Sequence, residues 1–219
     1  MKPRLLPLGD SALLIQFGDE IDPGLNQHVH ELDALLNVDK PAGVVETVPA
    51  YATLLVHYDP LLLTYAETTD WISAELDKVK SKASRKPRRI EIPVRYGGAS
   101  GLDLDFVAAY HKLSVQEVLH IHASRIYSVY MMGFTPGFAY MGKLDDAIAT
   151  PRLETPRMKV PAGSVGIAGA QTGIYPIDSP GGWRIIGRTE VRLFNPAADP
   201  VFLFAPGDTV QFVMEALDA

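Results

Sequence analysis

Between Tyr130 and Thr189 the chain reads YMMGFTPGFAYMGKLDDAIATPRLETPRMKVPAGSVGIAGAQTGIYPIDSPGGWRIIGRT, with glycine or proline recurring every few residues. Glycine permits positive φ and proline locks φ near one value, so a segment punctuated this way cannot be a long helix. It predicts short strands joined by tight turns, with Phe134, Phe138, Tyr140, Tyr175 and Trp183 carried on or beside those turns. Loops on a rigid scaffold are where binding and catalytic groups concentrate, so a site is sought here first.

The flanking sequence has a different grain. ALLIQF (Ala12 to Phe17) predicts a buried strand, and Asp22-Pro23 marks the start of a helix whose Leu25, Val29, Leu32 and Leu36 share one face. VVETV (Val44 to Val48) and ATLLVHY (Ala52 to Tyr58) read as strands. TYAETTDWISAELDKVK reads as a second helix with Trp71, Leu76 and Val79 inward. Residues 1–80 are therefore expected to form a small α/β domain of order β, α, β, β, α. The basic run that follows, rich in lysine and arginine with no interleaved aromatics, predicts a solvated linker at 81–89.

A second domain is expected over 90–219. IEIPVRY opens it as an alternating strand. LDLDFVAAYHKL and SVQEVLHIHAS follow as helices, the latter started by Ser114 and Glu117 in capping-box spacing. Ser128 to Met132 is a strand, and RTEVRLFNP and FLFAPGDTVQFVMEAL close the chain as strands. Many short strands with two helices give an α+β class, with a β-barrel or sandwich as the larger part.

A net charge of −6 disfavours nucleic acid and anionic membrane as partners, since both require a basic face. The absence of cysteine removes disulfides, thiolate metal sites and cysteine nucleophiles. Pro7 and Asp10 interrupt the first apolar run before it reaches signal-peptide length, and no run reaches the roughly 20 residues of a membrane span. A cytoplasmic protein is expected.

Gly137 to Leu144 resembles a P-loop, but Leu144 stands where a Ser or Thr hydroxyl would hold magnesium, and bulky side chains fill the loop. The histidine pairs lack the i, i+4 spacing that lets two imidazoles share a metal on one helix, so no metal site is expected. His122, at the end of a helix just before the turn-rich stretch, is the best candidate for a general acid or base, beside a structural alternative. Ser164 and Ser179 sit among glycines as turn residues do, and no nucleophile elbow surrounds them.

Arg152, Arg157, Lys159, Arg184 and Arg188 crowd the same stretch, where turns can converge them on a small anion. Gln171, Thr172, Tyr175 and Ser179 add neutral hydrogen-bonding groups, and Phe134, Tyr140 and Trp183 an apolar wall. The alternative is a set of scattered surface charges on a turn-rich barrel.

The phrases GFTPGFAYMG, TPRMKVPAGSVGIAGAQTGIYP, SPGGWRIIGRT and PGDTVQF, in that order from about Ile90 to Phe212, resemble the family of 5-oxoprolinase B subunits. That family was once labelled allophanate hydrolase subunit 1 and includes a Bacillus inhibitor of a sporulation histidine kinase. The resemblance implies a cyclophilin-like barrel after a small α/β domain. It implies one component of a lactam hydrolase, inactive alone, that works with an A subunit and with a sister C subunit. ATP, with magnesium, would be a co-substrate at a site shared with the C subunit. By motif position it carries over Phe134, Tyr140, Arg157, Gln171, Thr172, Tyr175, Ser179, Trp183 and Arg188 as pocket residues and His122 beside them, without individual catalytic roles. A kinase inhibitor and a component of a urea amidolyase-type carboxyltransferase are the alternatives that the resemblance leaves open.

Overall fold

The computed structural model describes residues 3–79 and 87–218. The chain divides into two compact units, Met1–Lys86 and Pro87–Ala219. The first holds strands β1 (Arg4–Pro7), β2 (Ala12–Gln16), β3 (Val44–Pro49) and β4 (Thr53–Tyr58) and helices α1 (Pro23–Leu36) and α2 (Tyr65–Val79). Its sheet is antiparallel throughout, in the order β1-β2-β4-β3. β1 was not anticipated. It is a four-residue edge strand ending at Pro7, and a proline is tolerated there because an edge residue need not donate to a ladder.

Helix α1 starts as its sequence dictates. Asp22 accepts the Leu25 N–H at 2.9 Å, and Pro23 occupies the first turn, where its missing N–H costs nothing. Val29, Leu32 and Leu36 are fully buried with Leu13, Ile15, Leu54 and Val56, while Leu25 packs at the edge of that core. Ile72 is the fully buried contribution of α2, with Trp71 and Leu76 partly covered beside it. The side chain of Val79 lies outside the described residues.

The second unit is a closed barrel of seven strands in the order β10-β7-β6-β13-β5-β12-β9. Its strands are β5 (Arg89–Gly97), β6 (Ile126–Met132), β7 (Ala139–Gly142), β9 (Ser164–Ala168), β10 (Gln171–Ile174), β12 (Arg184–Arg188) and β13 (Thr209–Asp218). A separate pair, β8 (Arg157–Val160) and β11 (Ser179–Gly181), stands outside the ring. Helices α3 (Leu104–His111) and α4 (Val115–Ser124) follow β5, and α4 carries the expected capping box, with Ser114 and Glu117 satisfying each other's backbone N–H. β5 and β13 pair in parallel, so the first and last strands of the unit close against each other.

Two expectations are corrected here. RTEVRLFNP is not a strand: β12 stops at Arg188, and the chain stays irregular up to Thr209 apart from one bridge between Phe194 and Phe202. Prolines at 196, 200 and 206 each remove a ladder donor, while Leu193 and Phe204 still bury their side chains in the barrel core. The basic linker over 81–89 lies mostly outside the described residues. Its described end belongs to the barrel, because Arg88 donates through Nε to the fully buried Asp208 at 3.0 Å and Arg89 begins β5.

A line of polar groups crosses the barrel core. The Thr172 hydroxyl donates to Gly166 O at 3.1 Å, which spends its only proton. Its oxygen, 3.0 Å from His122 Nε2, therefore accepts from that nitrogen, and His122 Nδ1 accepts from the Tyr96 hydroxyl at 2.9 Å. The set ties β5, α4, β10 and β9 together and leaves no ring nitrogen of His122 unpaired. His122 also stacks on Phe212 at 4.5 Å between ring centroids. Among the described residues no helix is long and apolar enough to cross a membrane.

Burial pushes the His122 pKa down to about 3. An unfolded chain takes up that proton near pH 6.5, so the native state is favoured in full above that pH and loses this contribution as pH falls from about 6.5 toward 3. Across that window stability should fall by up to ~1.4 kcal/mol per pH unit. Urea titrations at stepped pH should show a flatter acid limb in His122→Gln, and identical limbs would remove His122 as the cause.

Candidate functional site

The turn-rich stretch converges on one buried carboxylate. Asp103, at the start of α3, exchanges two backbone-anchored bonds with β12: its N–H donates to Ile185 O at 2.8 Å and its Oδ2 accepts the Ile185 N–H at 2.7 Å. Its Oδ1 accepts Arg157 Nη2 from β8 at 2.9 Å, with Arg184 Nη1 at 3.8 Å. Arg157 is thereby fixed, and it reaches back to Trp183 O at 3.5 Å. A guanidinium held in this way loses little rotamer freedom on meeting a second anion.

Beside Arg157 lies a depression of about 60 Å³ lined by Ser100, Leu102, Arg157, Lys159, Ser164 and Arg188 among others. Arg157 and Lys159 stand two apart on β8 and so face the same way. Lys159 meets Asp178 at 2.8 Å, and this contact, with the Ala162 N–H, holds the Asp178 carboxyl below the usual carboxylate range. Arg188 lies 4.0 Å from Glu190, and both are exposed. Such surface pairs are loose enough to yield to a better anion.

The aromatic residues form a second, neighbouring group. Phe138, Tyr175 and Trp183 are buried against one another, with Tyr140 half-buried on their edge and centroids 4.9 to 6.1 Å apart. Gly181 is required for this packing, because a Cβ there would run into the phenol of Tyr175. Burial raises the Tyr175 and Tyr140 pKa values, so both stay protonated as donors. Phe134 packs edge-on to Phe138 and Tyr175 yet is 61% exposed. Arg152 places its guanidinium carbon 5.9 Å from the centre of the Trp183 ring.

The structure thus divides what the sequence suggested as one pocket. Arg157, Lys159 and Arg188 line the depression, and Phe134, Tyr140, Tyr175 and Trp183 make the aromatic group. Arg184 leaves both, stacking on Phe106 at 3.8 Å and donating to Pro151 O. Thr172 is fully buried in the core relay and Gln171 is half-buried opposite Ala168. The buried Ser179 hydroxyl, on β11 opposite Val160, has no hydrogen-bond partner among the described residues.

His122 is corrected. It is fully buried and neutral at ordinary pH, with both nitrogens engaged, so it cannot exchange a proton with a ligand at the barrel end. Gly137 to Leu144 enters β7 instead of leading into a helix, so its backbone amides are not gathered around an anion. Asp103 was missed. In LDLDF it looks like an ordinary helix-start acid, and no local signal says that two cations fold onto it.

The family described as carboxyltransferase domain, subdomain C and D, matches residues 3–204 of this chain. Over 217 residues the chain is 43% identical to the 5-oxoprolinase B subunit of Bacillus subtilis (strain 168), covering 94% of this chain and 90% of that one. The corresponding protein of Escherichia coli O157:H7 is 41% identical over 97% of this chain and 96% of its own. The crystal structure of TTHA0988 matches 93% of the chain with a TM-score of 0.82 at 36% identity; this chain spans 39% of its length. The chain belongs to the family of 5-oxoprolinase B subunits.

Replacing Asp103 by Ala strands Arg157 and Arg184 and removes the acceptor of the Ile185 N–H. It should cost about 3 kcal/mol of stability, and Asp103→Asn less, because the amide oxygen still accepts. Chemical denaturation of the two variants measures the difference, and equal losses would mean that the ion pair, and not the backbone acceptor, matters.

Proposed function

We propose that the chain is the B component of an ATP-dependent 5-oxoprolinase, a lactam hydrolase that opens 5-oxoproline to glutamate. The observation that carries this reading is the near full-length likeness to proteins named as B subunits of 5-oxoprolinase. In this reading residues 3–79 form a small domain in their own right and the barrel is cyclophilin-like. Prolyl isomerisation is not inferred, since a fold does not bring its chemistry with it.

A lactam is a stable amide. With the phosphoryl group of ATP on the lactam oxygen, one water would add to the lactam carbon and the ring nitrogen would leave as the amine, giving an acyl phosphate. A second water would then release phosphate and leave the side-chain carboxylate of glutamate. Arg157, held by Asp103, offers a fork of N–H donors to an oxyanion, and Lys159 and Arg188 add charge that tightens as negative charge builds. About 60 Å³ suits one phosphoryl or carboxylate group but not a nucleotide, which needs several hundred cubic ångströms. The remainder of the nucleotide and its magnesium therefore belong to a surface that a partner protein supplies. Leu102, on the rim of the depression, continues into Phe106 and Tyr110 as an exposed apolar edge along α3, which suits a junction with the C subunit. The complete enzyme is then cytoplasmic and heteromeric, and this chain alone is inactive.

Co-expression with candidate A and C subunits, assayed for glutamate from 5-oxoproline and ATP, tests this. Arg188→Ala, whose side chain has only a loose surface partner, should lower kcat/KM about tenfold or more with little change in stability. Full activity of the other two subunits without this chain would overturn the assignment. Stable capture of a histidine kinase, with no C subunit bound, would favour the inhibitor reading instead.

A further inference from the structure

Among the five cations that the sequence singles out, four have a carboxylate within ion-pair distance: Arg157 and Arg184 share Asp103, Lys159 meets Asp178 and Arg188 reaches Glu190. Arg152 has none among the described residues. It is exposed and stands over Trp183, the buried wall of the aromatic group. A guanidinium on an aromatic face is held in orientation while its N–H edge stays open to an anion.

Phe134 is the second anomaly. Its φ of 67° places a bulky side chain in the left-handed region, which non-glycine residues rarely occupy. Backbone bonds between Gly133 and Phe138 enforce this: Thr135 N–H to Gly133 O at 2.8 Å, Phe138 N–H to Thr135 O at 3.0 Å and Gly133 N–H to Phe138 O at 3.1 Å. Glycine flanks the loop and would suit position 134 without strain, yet the position carries a ring that is 61% exposed. Backbone strain that serves no burial is kept where a side chain must be presented. Tyr140 lies between the two features, in ring contact with Phe138 and Trp183.

We propose that Phe134, Tyr140 and Arg152 form a shelf for a small carboxylate bearing an apolar ring or short chain, with the carboxylate on Arg152 and the apolar part against the rings. This site is distinct from the depression at Arg157, where three cations and several apolar side chains surround room for one small group. Naming its ligand rests on the 5-oxoprolinase reading: 5-oxoproline carries one carboxylate on a small ring whose methylene edge is apolar beside the polar lactam. The shelf would orient the ring, and the phosphoryl chemistry would take place toward Arg157.

Calorimetric titration of the chain, alone and assembled with its A and C subunits, decides this with four probes: 5-oxoproline, its neutral amide, cyclopentanecarboxylate and inorganic phosphate. The amide should bind about tenfold more weakly than 5-oxoproline, and Arg152→Gln should lose a similar factor while Arg152→Lys keeps part of it. Phosphate, lacking an apolar part, should bind with the same affinity in Phe134→Gly as in the parent chain. Phe134→Gly should weaken 5-oxoproline binding about fivefold with Tm unchanged or raised, because glycine relieves the positive φ. Unaltered affinity in Arg152→Gln and Phe134→Gly, equal binding of acid and amide, or no carboxylate bound in either form would overturn the shelf. A fall in Tm that parallels the loss of binding in Phe134→Gly would assign that ring to the fold and overturn its place on the shelf. Binding of cyclopentanecarboxylate without 5-oxoproline would keep the shelf and remove the substrate, a result that glutamate assays of the complex check independently.

Discussion

The charge pattern at the end of this barrel depends on the burial of Asp103. A carboxylate removed from water must be compensated, and here the Ile185 N–H and two guanidiniums do so. The consequence reaches beyond stability. By holding Arg157, Asp103 fixes one edge of the depression, and by drawing Arg184 aside it keeps that cation from the aromatic group. Which cations remain available to a ligand follows from where this one acid sits, since Lys159 and Arg188 have only loose surface partners and Arg152 has no carboxylate partner among the described residues.

The core relay sets a complementary limit. Tyr96, His122 and Thr172 satisfy one another and end on a backbone carbonyl, so the interior of the barrel contains polar groups but no spare donor or acceptor on the imidazole. A fully satisfied buried network specifies one packing of α4 against the strands and is poor at exchanging protons. Chemistry at this barrel is therefore pushed outward, to side chains on β8, β12 and the turns that surround them.

Much of the fold was legible because its signals are local. The Asp22-Pro23 start of α1, the Ser114 and Glu117 box and the alternation in β5 each depend on a few adjacent residues, and each appears where expected. The errors fall where distant residues decide. β1 exists only because β2 offers it an edge, and the segment after Arg188, despite its strand-like apolar residues, makes only one bridge, with itself, between Phe194 and Phe202 on either side of Pro196 and Pro200. For the site, the composition of the turn-rich stretch shows that it is dense in cations and aromatics. It could not divide them, because Asp103 lies 54 residues before Arg157 in the chain and nothing near it announces the contact. His122 misled for the same reason: closeness in sequence to the turns said nothing about which way its ring points.

The two regions differ in kind, and that difference explains why a complete catalytic set is hard to find in this chain. The depression brings three cations together over a partly apolar lining with room for one small group, while the shelf offers rings and a guanidinium with no carboxylate partner among the described residues. Neither includes a buried acid or base in a state to move a proton, because the one buried imidazole among the described residues is held neutral in the core. Binding and polarisation can be assigned to these residues, whereas proton transfer cannot.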